Sequence, residues 1–242
     1  MKKTITAHRG LNHQFPENTL VAFKHAVDVG SDMLELDVQF TKDHQLVVVH
    51  DDELTRLTTH HEFVGDLTLE QIQSNPLFGL HSDANIPSLQ SVLNLLTRQE
   101  FCGCLNIEFK TDRHRYSGIE AAVSSLIQNK PRPFDHLYSS FNLSSLTTIA
   151  HYEPETELAW IMRGNSELFT IAAQLDLIQA IHPKAEALMQ SPTALAHYPK
   201  KIRPWTVNDT ATAEEFLNMP AVSGIITDVA DKMVTLNNHY EY

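Results

Sequence analysis

Glu35 and Asp37 stand two residues apart in "MLELDVQF", residues 33–40, among Leu34, Leu36 and Val38. On a β-strand such residues share a face, so this stretch offers one apolar face and one bearing two carboxylates. The stretch "LNIEFK", 105–110, repeats the arrangement, with Leu105, Ile107 and Phe109 alternating with Asn106, Glu108 and Lys110. Like charges are normally kept apart in an interior. Three acids at one low-dielectric mouth must take up protons or share a cation, and a divalent ion balances two charges while keeping coordination positions open. Oxygen donors alone favour one hard divalent cation, Mg²⁺ or Ca²⁺, over zinc. Glu35, Asp37 and Glu108 are therefore the expected metal ligands.

Of the 14 histidines most look incidental, and two stand out. His8 ends "TITAH" and precedes Arg9 and Gly10; His50 ends "LVVVH" and precedes Asp51. A pair of imidazoles at strand ends, facing a metal, suits general acid–base chemistry near neutral pH. Arg9 is a planar donor for phosphate oxygens and Lys110 a second positive charge. His8 and Arg9 would face opposite ways on a regular strand, but Gly10 lets the chain turn so that both reach the mouth.

The elements that must position these groups alternate regularly. Strands are expected in "TITAHRG", "MLELDVQF", "CLNIEFK", "HLYSSF", "ELAWIMR", "DLIQAIH", "IRPWTVN" and "SGIITD". Helical periods fill the intervals, from "TLVAFKHAVDV" through "SPTALAHYPK" to "VADKMVTLNN". Eight βα pairs are what a (β/α)8 TIM barrel requires, an α/β fold in which outer helices force the polar strand faces inward. An open doubly wound sheet would need a Gly-rich first turn, which "HRGLNHQFPENT" lacks. From about 41 to 87 the chain departs from the rhythm with "QLVVVHDD" and "LTLEQIQSN". The expectation is one catalytic domain over 1–242, with a small subdomain inserted after the second strand on the active-site face. Asn18, Asn142, Ser191 and Thr210 or Thr212 are expected helix caps, Thr227 and Asp228 caps of the last helix, and Arg56 an anchor for the insertion.

Composition narrows the partners. A net charge of −12 disfavours nucleic-acid binding, which needs a basic face. No apolar run approaches the roughly 20 residues of a membrane helix, and "MKKTITAHRG" lacks the apolar core of a signal peptide. A cytoplasmic location is the expectation. Cys102 and Cys104 are too close for an unstrained disulfide and read as small buried residues at a strand start. Oligomeric state leaves no mark in the chain.

The ordered set "HRG", "PENTLVAF", "ELDV", "VVVHDDELTRLT", "IPSL", "IEFK", "WTVN" and "GIITD" resembles the glycerophosphodiester phosphodiesterase family, from His8 to about Asp228. The resemblance implies a (β/α)8 barrel with an insertion after the second strand. It implies metal-dependent hydrolysis of a small glycerophosphodiester to sn-glycerol 3-phosphate and an alcohol. Carried over by motif, the metal ligands fall on Glu35, Asp37 and Glu108, the catalytic histidines on His8 and His50, and the phosphate contacts on Arg9 and Lys110. Phe141 of "SSFN" and Trp205 of "WTVN" fall where the family lines its pocket with aromatics. Asn18 reads as a helix cap or as a hydrogen-bond partner of a ligand. Departures from the family pattern, such as Asp43-His44 where glycine usually follows the acid, lie away from these residues. A related barrel acting on lipid diesters would present an apolar rim, at odds with the −12 charge and polar insertion.

Overall fold

Eight apolar runs become parallel strands because each is followed by a segment that can cover its outward face. The computed structural model describes residues 3–59, 61–78, 84–164, 166–190 and 197–239. Strands β1 (Thr4–Ala7), β2 (Met33–Phe40), β4 (Cys104–Phe109), β5 (Asp135–Ser140), β6 (Leu158–Met162), β7 (Ala180–Pro183), β8 (Lys201–Ile202) and β9 (Gly224–Thr227) pair in the order β8-β7-β6-β5-β4-β2-β1-β9. The ends of this path meet. Ser223 N–H donates to Ile202 O at 2.8 Å, and Ile226 N–H to Pro204 O at 2.9 Å, closing the barrel. Helices α1 (Leu20–Asp28), α3 (Leu89–Arg98), α4 (Ile119–Gln128), α5 (Leu143–Tyr152), α6 (Ser166–Gln174), α8 (Thr210–Asn218) and α9 (Ala230–Asn238) surround it. The insertion carries β3 (Leu46–Val48) and α2 (Leu69–Gln73).

The helices follow from their spacing. Helix α3 buries Leu89, Val92, Leu93 and Leu96, the i, i+3, i+4, i+7 stripe of one face. Each such side chain contributes about 1.5–3 kcal/mol on leaving water. Outward Leu34, Leu36 and Val38 of β2 join the same core as α3, while Met33 packs with Leu137, Ala159 and Ala180 in a small second cluster. Strand β3 lies antiparallel on β2, with Val48 opposite Val38. Its Val47 and the following Val49 belong to a separate core with Leu54, Val64, Ile72, Leu77 and Ile86, whereas Val48 belongs to the barrel core. The insertion thus has a core of its own, as a subdomain needs.

Several details differ from the reading of the sequence. Helix α1 is capped by Thr19, whose hydroxyl accepts from Ala22 N–H, not by Asn18; α8 is capped by Asp209, not by Thr210 or Thr212. Asn142 does cap α5. A short α7 (Ala185–Met189) was not expected. The helix expected over 191–200, with its cap Ser191, lies largely outside the described residues, and 197–200 is not helical. Strand β8 is two residues long, although N–H donation to β7 continues from Arg203 to Ile181 O at 3.0 Å and from Trp205 to Pro183 O at 2.9 Å; Pro183 has no N–H to donate in return. Both cysteines are free, and neither is fully buried as expected: Cys102 is exposed and Cys104 half-buried. His44, where the family pattern has glycine, takes φ 55° and sets its ring edge-on to Phe40. Among the described residues no helix is long and apolar enough to cross a membrane.

One charged cluster bears on stability. Buried Tyr138 donates to Glu153 Oε1 at 2.6 Å, and His136 Nε2 lies 2.7 Å from Glu153 Oε2. Burial by itself raises a carboxyl, but these bonds outweigh it and draw Glu153 from 4.5 down to about 2. A depressed folded pKa contributes stability that is complete above the unfolded value and is lost as pH falls through the folded one. Glu153→Gln is expected to cost about 2 kcal/mol at pH 7. In urea unfolding the gap to wild type should narrow between pH 4.5 and 2; a gap independent of pH contradicts the assignment.

Candidate active site

The register of β2 and β4 sets Asp37 opposite Glu108 and Glu35 opposite Asn106. One carboxylate oxygen from each of Glu35, Asp37 and Glu108 lies within 4.8 Å of the others, and all three side chains are buried. At that separation two full charges repel by about 3.5 kcal/mol for an effective dielectric of 20. Two cations only partly offset this. Lys110 Nζ donates to Glu108 Oε1 at 2.8 Å and stands 3.8 Å from Asp37 Oδ1; Arg9 Nε is 3.3 Å from Asp37 Oδ2. Burial pushes Asp37 up, but Arg9, His50, Lys110 and the Asn18 amide more than reverse it and hold it below the usual range. Glu35 goes the other way: burial first, then repulsion from Asp37 and Glu108, raise it well above 4.5. Glu108 is raised mainly by burial.

The residues present fit a hard divalent cation. Glu35 Oε1 and Asp37 Oδ1 are buried oxygens that accept no hydrogen bond, and orphaned acceptors of this kind are costly unless something else occupies them. The donor set is all oxygen. Three carboxylates against Arg9 and Lys110 leave one negative charge, which a divalent ion turns into one positive charge.

Sharp turns bring the rest of the site to this cluster. Strand β1 stops at Ala7, and Arg9 itself turns at φ 57°, followed by Gly10 at φ 82°. The turn therefore begins one residue before the glycine that the sequence singles out. It aims Arg9 N–H at Glu35 Oε2, 2.9 Å away, which offsets a left-handed conformation costing about 1–2 kcal/mol. Gly10 is still required, since a Cβ there would stand 2.7 Å from the Ala22 carbonyl carbon. Asn18, at φ 57°, donates from Nδ2 to Asp37 Oδ2 at 2.8 Å, so it braces Asp37 instead of capping α1. Arg9 Nη1 donates to Glu17 Oε1 at 3.0 Å.

Both histidines reach a cavity of about 530 Å³ whose wall includes Arg9, Glu35, Glu108 and Lys110. Each holds a carboxylate at Nδ1: His8 with Asp228 Oδ1 at 2.7 Å, His50 with Asp51 Oδ1 at 2.7 Å. That leaves Nε2 of both rings for a ligand. Asp228 is held below the usual carboxylate range, the His8 bond outweighing burial, and Asp51 is held below it chiefly by the His50 bond. Asp228 is thus a partner of His8 and not a helix cap; Thr227 Oγ1 alone accepts from Val229 N–H at the start of α9. Nothing local signals this contact, which joins residues 220 apart. The segment carrying His50 is pinned by Gln39, whose Nε2 lies 3.0, 3.2 and 3.0 Å from the carbonyls of Val49, His50 and Asp51. Gln39 was legible as the next inward residue after Glu35 and Asp37, though it carries no charge to draw attention.

Phe141 and Trp205 form one wall, edge to face at 5.7 Å between ring centroids. The indole N–H is turned away to His182 O at 2.8 Å, so the ring supplies surface and not a donor. Arg163, its guanidinium carbon 4.5 Å from the Phe141 ring centroid, and Lys184 add positive charge to this wall. Both occupy inward positions just beyond β6 and β7, outside any motif the sequence offered. The expected site residues His8, Arg9, Glu35, His50, Glu108, Lys110, Phe141 and Trp205 all line the one cavity, with Asp37 and Asn18 behind them.

Comparison with known proteins places the chain. The model of the glycerophosphoryl diester phosphodiesterase family matches residues 8–232. A glycerophosphodiester phosphodiesterase of Bacillus altitudinis is 36% identical over 244 residues, covering 96% of this chain and 97% of its own. One of Caldanaerobacter subterraneus subsp. tengcongensis is 34% identical, covering 98% of both. Among solved structures, an Oleispira antarctica phosphodiesterase in complex with the product sn-glycerol-3-phosphate superposes with a TM-score of 0.85 at 23% identity, over 98% of this chain and 97% of that one. A glycerophosphodiester phosphodiesterase of Thermotoga maritima gives 0.79 at 24% identity, over 98% and 99%. The barrel with its insertion and a family match spanning the whole site agree: this chain belongs to the glycerophosphoryl diester phosphodiesterase family.

Proposed function

We propose that this protein hydrolyses glycerophosphodiesters to sn-glycerol 3-phosphate and an alcohol, with one Mg²⁺ or Ca²⁺ held by Glu35, Asp37 and Glu108. The observation that carries the reading is two His–Asp pairs and a buried triad of acids opening on one cavity. Bound there, the cation supplies Lewis-acid polarisation of the phosphoryl group. The site with a divalent ion has one net positive charge among its acids and bases, matched to the single negative charge of a phosphodiester.

The chain's own groups do the rest. Arg9 and Lys110 bind non-bridging phosphate oxygens, and the charge those oxygens gain at the transition state is stabilised by the same fixed donors. Lys110 and Arg9 are each locked by carboxylates, so they do not reorganise as the charge develops. One imidazole takes a proton from the attacking oxygen as it bonds to phosphorus, that oxygen being water's, or the substrate's neighbouring hydroxyl with water then opening the cyclic phosphate; the other delivers a proton to the oxygen of the departing alcohol as its P–O bond breaks. Asp228 and Asp51 fix each ring with Nδ1–H outward and stabilise the imidazolium that forms or is consumed. Phe141 and Trp205 exclude water from one side of the diester and give the organic part an apolar surface.

Phosphorus NMR of a reaction with glycerophosphocholine tests this. The diester signal is expected to be replaced by that of sn-glycerol 3-phosphate, and chelation should stop the change. Turnover of lysophospholipids in preference to glycerophosphocholine would move the assignment to lipid diesters; binding without product would make the barrel a phosphate receptor.

A further inference from the structure

Arg56 belongs to the insertion and lies outside the cavity wall, yet it joins both halves of the site. Its Nη1 and Nη2 donate to Glu17 Oε2 and Oε1 at 2.8 and 2.7 Å, a two-pronged bond of the kind that fixes both partners' orientation. Its Nε donates to Asp51 Oδ2 at 2.6 Å. Glu17 in turn accepts from Arg9 Nη1, and Asp51 holds His50 Nδ1 through its other oxygen. One guanidinium thus uses all three of its nitrogens on two carboxylates, and each carboxylate holds a different working group: the phosphate-binding arginine on one branch, a catalytic imidazole on the other.

We propose that Arg56 is a positioning residue that sets Arg9 and His50 together, so that the site is complete only when the insertion is seated. This rests on the hydrolase reading above. The two branches have separable consequences. Without Arg56, Glu17 loses the two bonds that fix its orientation and no longer holds the Arg9 guanidinium in place, which raises KM. Asp51 loses its second partner, and the His50 ring loses its fixed orientation, which lowers kcat. A lysine cannot replace this geometry, because an ammonium lacks the rigid fork that reaches Glu17 with two nitrogens and Asp51 with a third.

The test is a set of variants on the full chain. Glu17→Gln should raise KM with little change in kcat, and Asp51→Asn should lower kcat with little change in KM. Arg56→Gln should do both, by about tenfold each. The double variants Arg56→Gln/Glu17→Gln and Arg56→Gln/Asp51→Asn should add nothing in KM and nothing in kcat respectively, since each branch is already cut. The Arg56 side chain is 49% exposed, so guanidinium ions added to Arg56→Ala should restore part of the lost rate. Lys in place of Arg should recover less. Additive double variants, or a loss of thermal stability with KM and kcat unchanged in the folded protein, overturn the proposal. Nitrogen NMR of the His50 ring gives a readout that needs no turnover: Arg56→Gln should shift the His50 Nδ1 and Nε2 resonances and leave those of His8 in place. Unchanged His50 resonances count against the coupling even if the substrate were a different diester, whereas an inactive wild type with shifted resonances counts against the hydrolase reading alone.

Discussion

Glu35→Ala and Asp37→Ala are each expected to lower kcat/KM for a glycerophosphodiester by about 10³-fold or more, with the barrel still folded. The reason is that Glu35 and Asp37 supply the carboxylate oxygens, Oε1 and Oδ1, that no hydrogen bond occupies. Glu108 is engaged by Lys110 at 2.8 Å, and Arg9 and Lys110 already stand against Asp37. The variants also have a signature outside catalysis. In the metal-free protein burial, and then repulsion from Asp37 and Glu108, raise Glu35 well above its ordinary value, so its ionisation works against folding. A group with a raised folded pKa favours the folded state below its unfolded value and loses that advantage as pH rises. Glu35→Gln should therefore leave the chelated protein as stable as wild type or more so, while abolishing the thermal stabilisation that added Mg²⁺ or Ca²⁺ gives wild type. A variant with lower chelated stability and an intact metal response would mean that Glu35 serves packing and not the cation.

The second large effect concerns the two imidazoles. His8→Ala and His50→Ala should each reduce kcat by about 10²–10⁴-fold. They should differ in one respect. An alkoxide leaving group needs a proton, whereas an activated aryl oxide does not. On a substrate with such an aryl leaving group, the variant lacking the acid should regain most of its rate and the variant lacking the base should not. The outcome assigns the roles, which the near-identical Nδ1 partnerships of the two rings leave symmetric. Equal recovery of both variants, or of neither, contradicts a division of labour between them.

Much of this was legible in the chain because strand period and charge agree. The i, i+2 spacing of Glu35 and Asp37, and its echo in Asn106, Glu108 and Lys110, can be reconciled with an all-parallel barrel only if those faces point inward. That deduction needs no contact information. Arg56 as an anchor was legible too, but not its two-way grip on Glu17 and Asp51, since those residues are placed by separate loops. What stayed hidden depended on distance along the chain or on backbone turns. Asp228 reaches His8 only once the barrel closes β9 onto β1. Arg163 and Lys184 look like ordinary surface cations until the strands before them are counted from the inward face. Thr19 displaced Asn18 as the cap of α1 because Asn18 adopts a left-handed turn and spends its amide on Asp37.

The most direct test is a titration of the chelated protein with Mg²⁺ and, separately, Ca²⁺, following release of sn-glycerol 3-phosphate from glycerophosphocholine in wild type and Glu35→Ala. Release that appears with added ion in wild type, saturates, and is absent in the variant is the predicted result. Release that persists under chelation, or that responds to metal equally in both proteins, would contradict the claim that the paired acids of β2 exist to hold a cation against the diester.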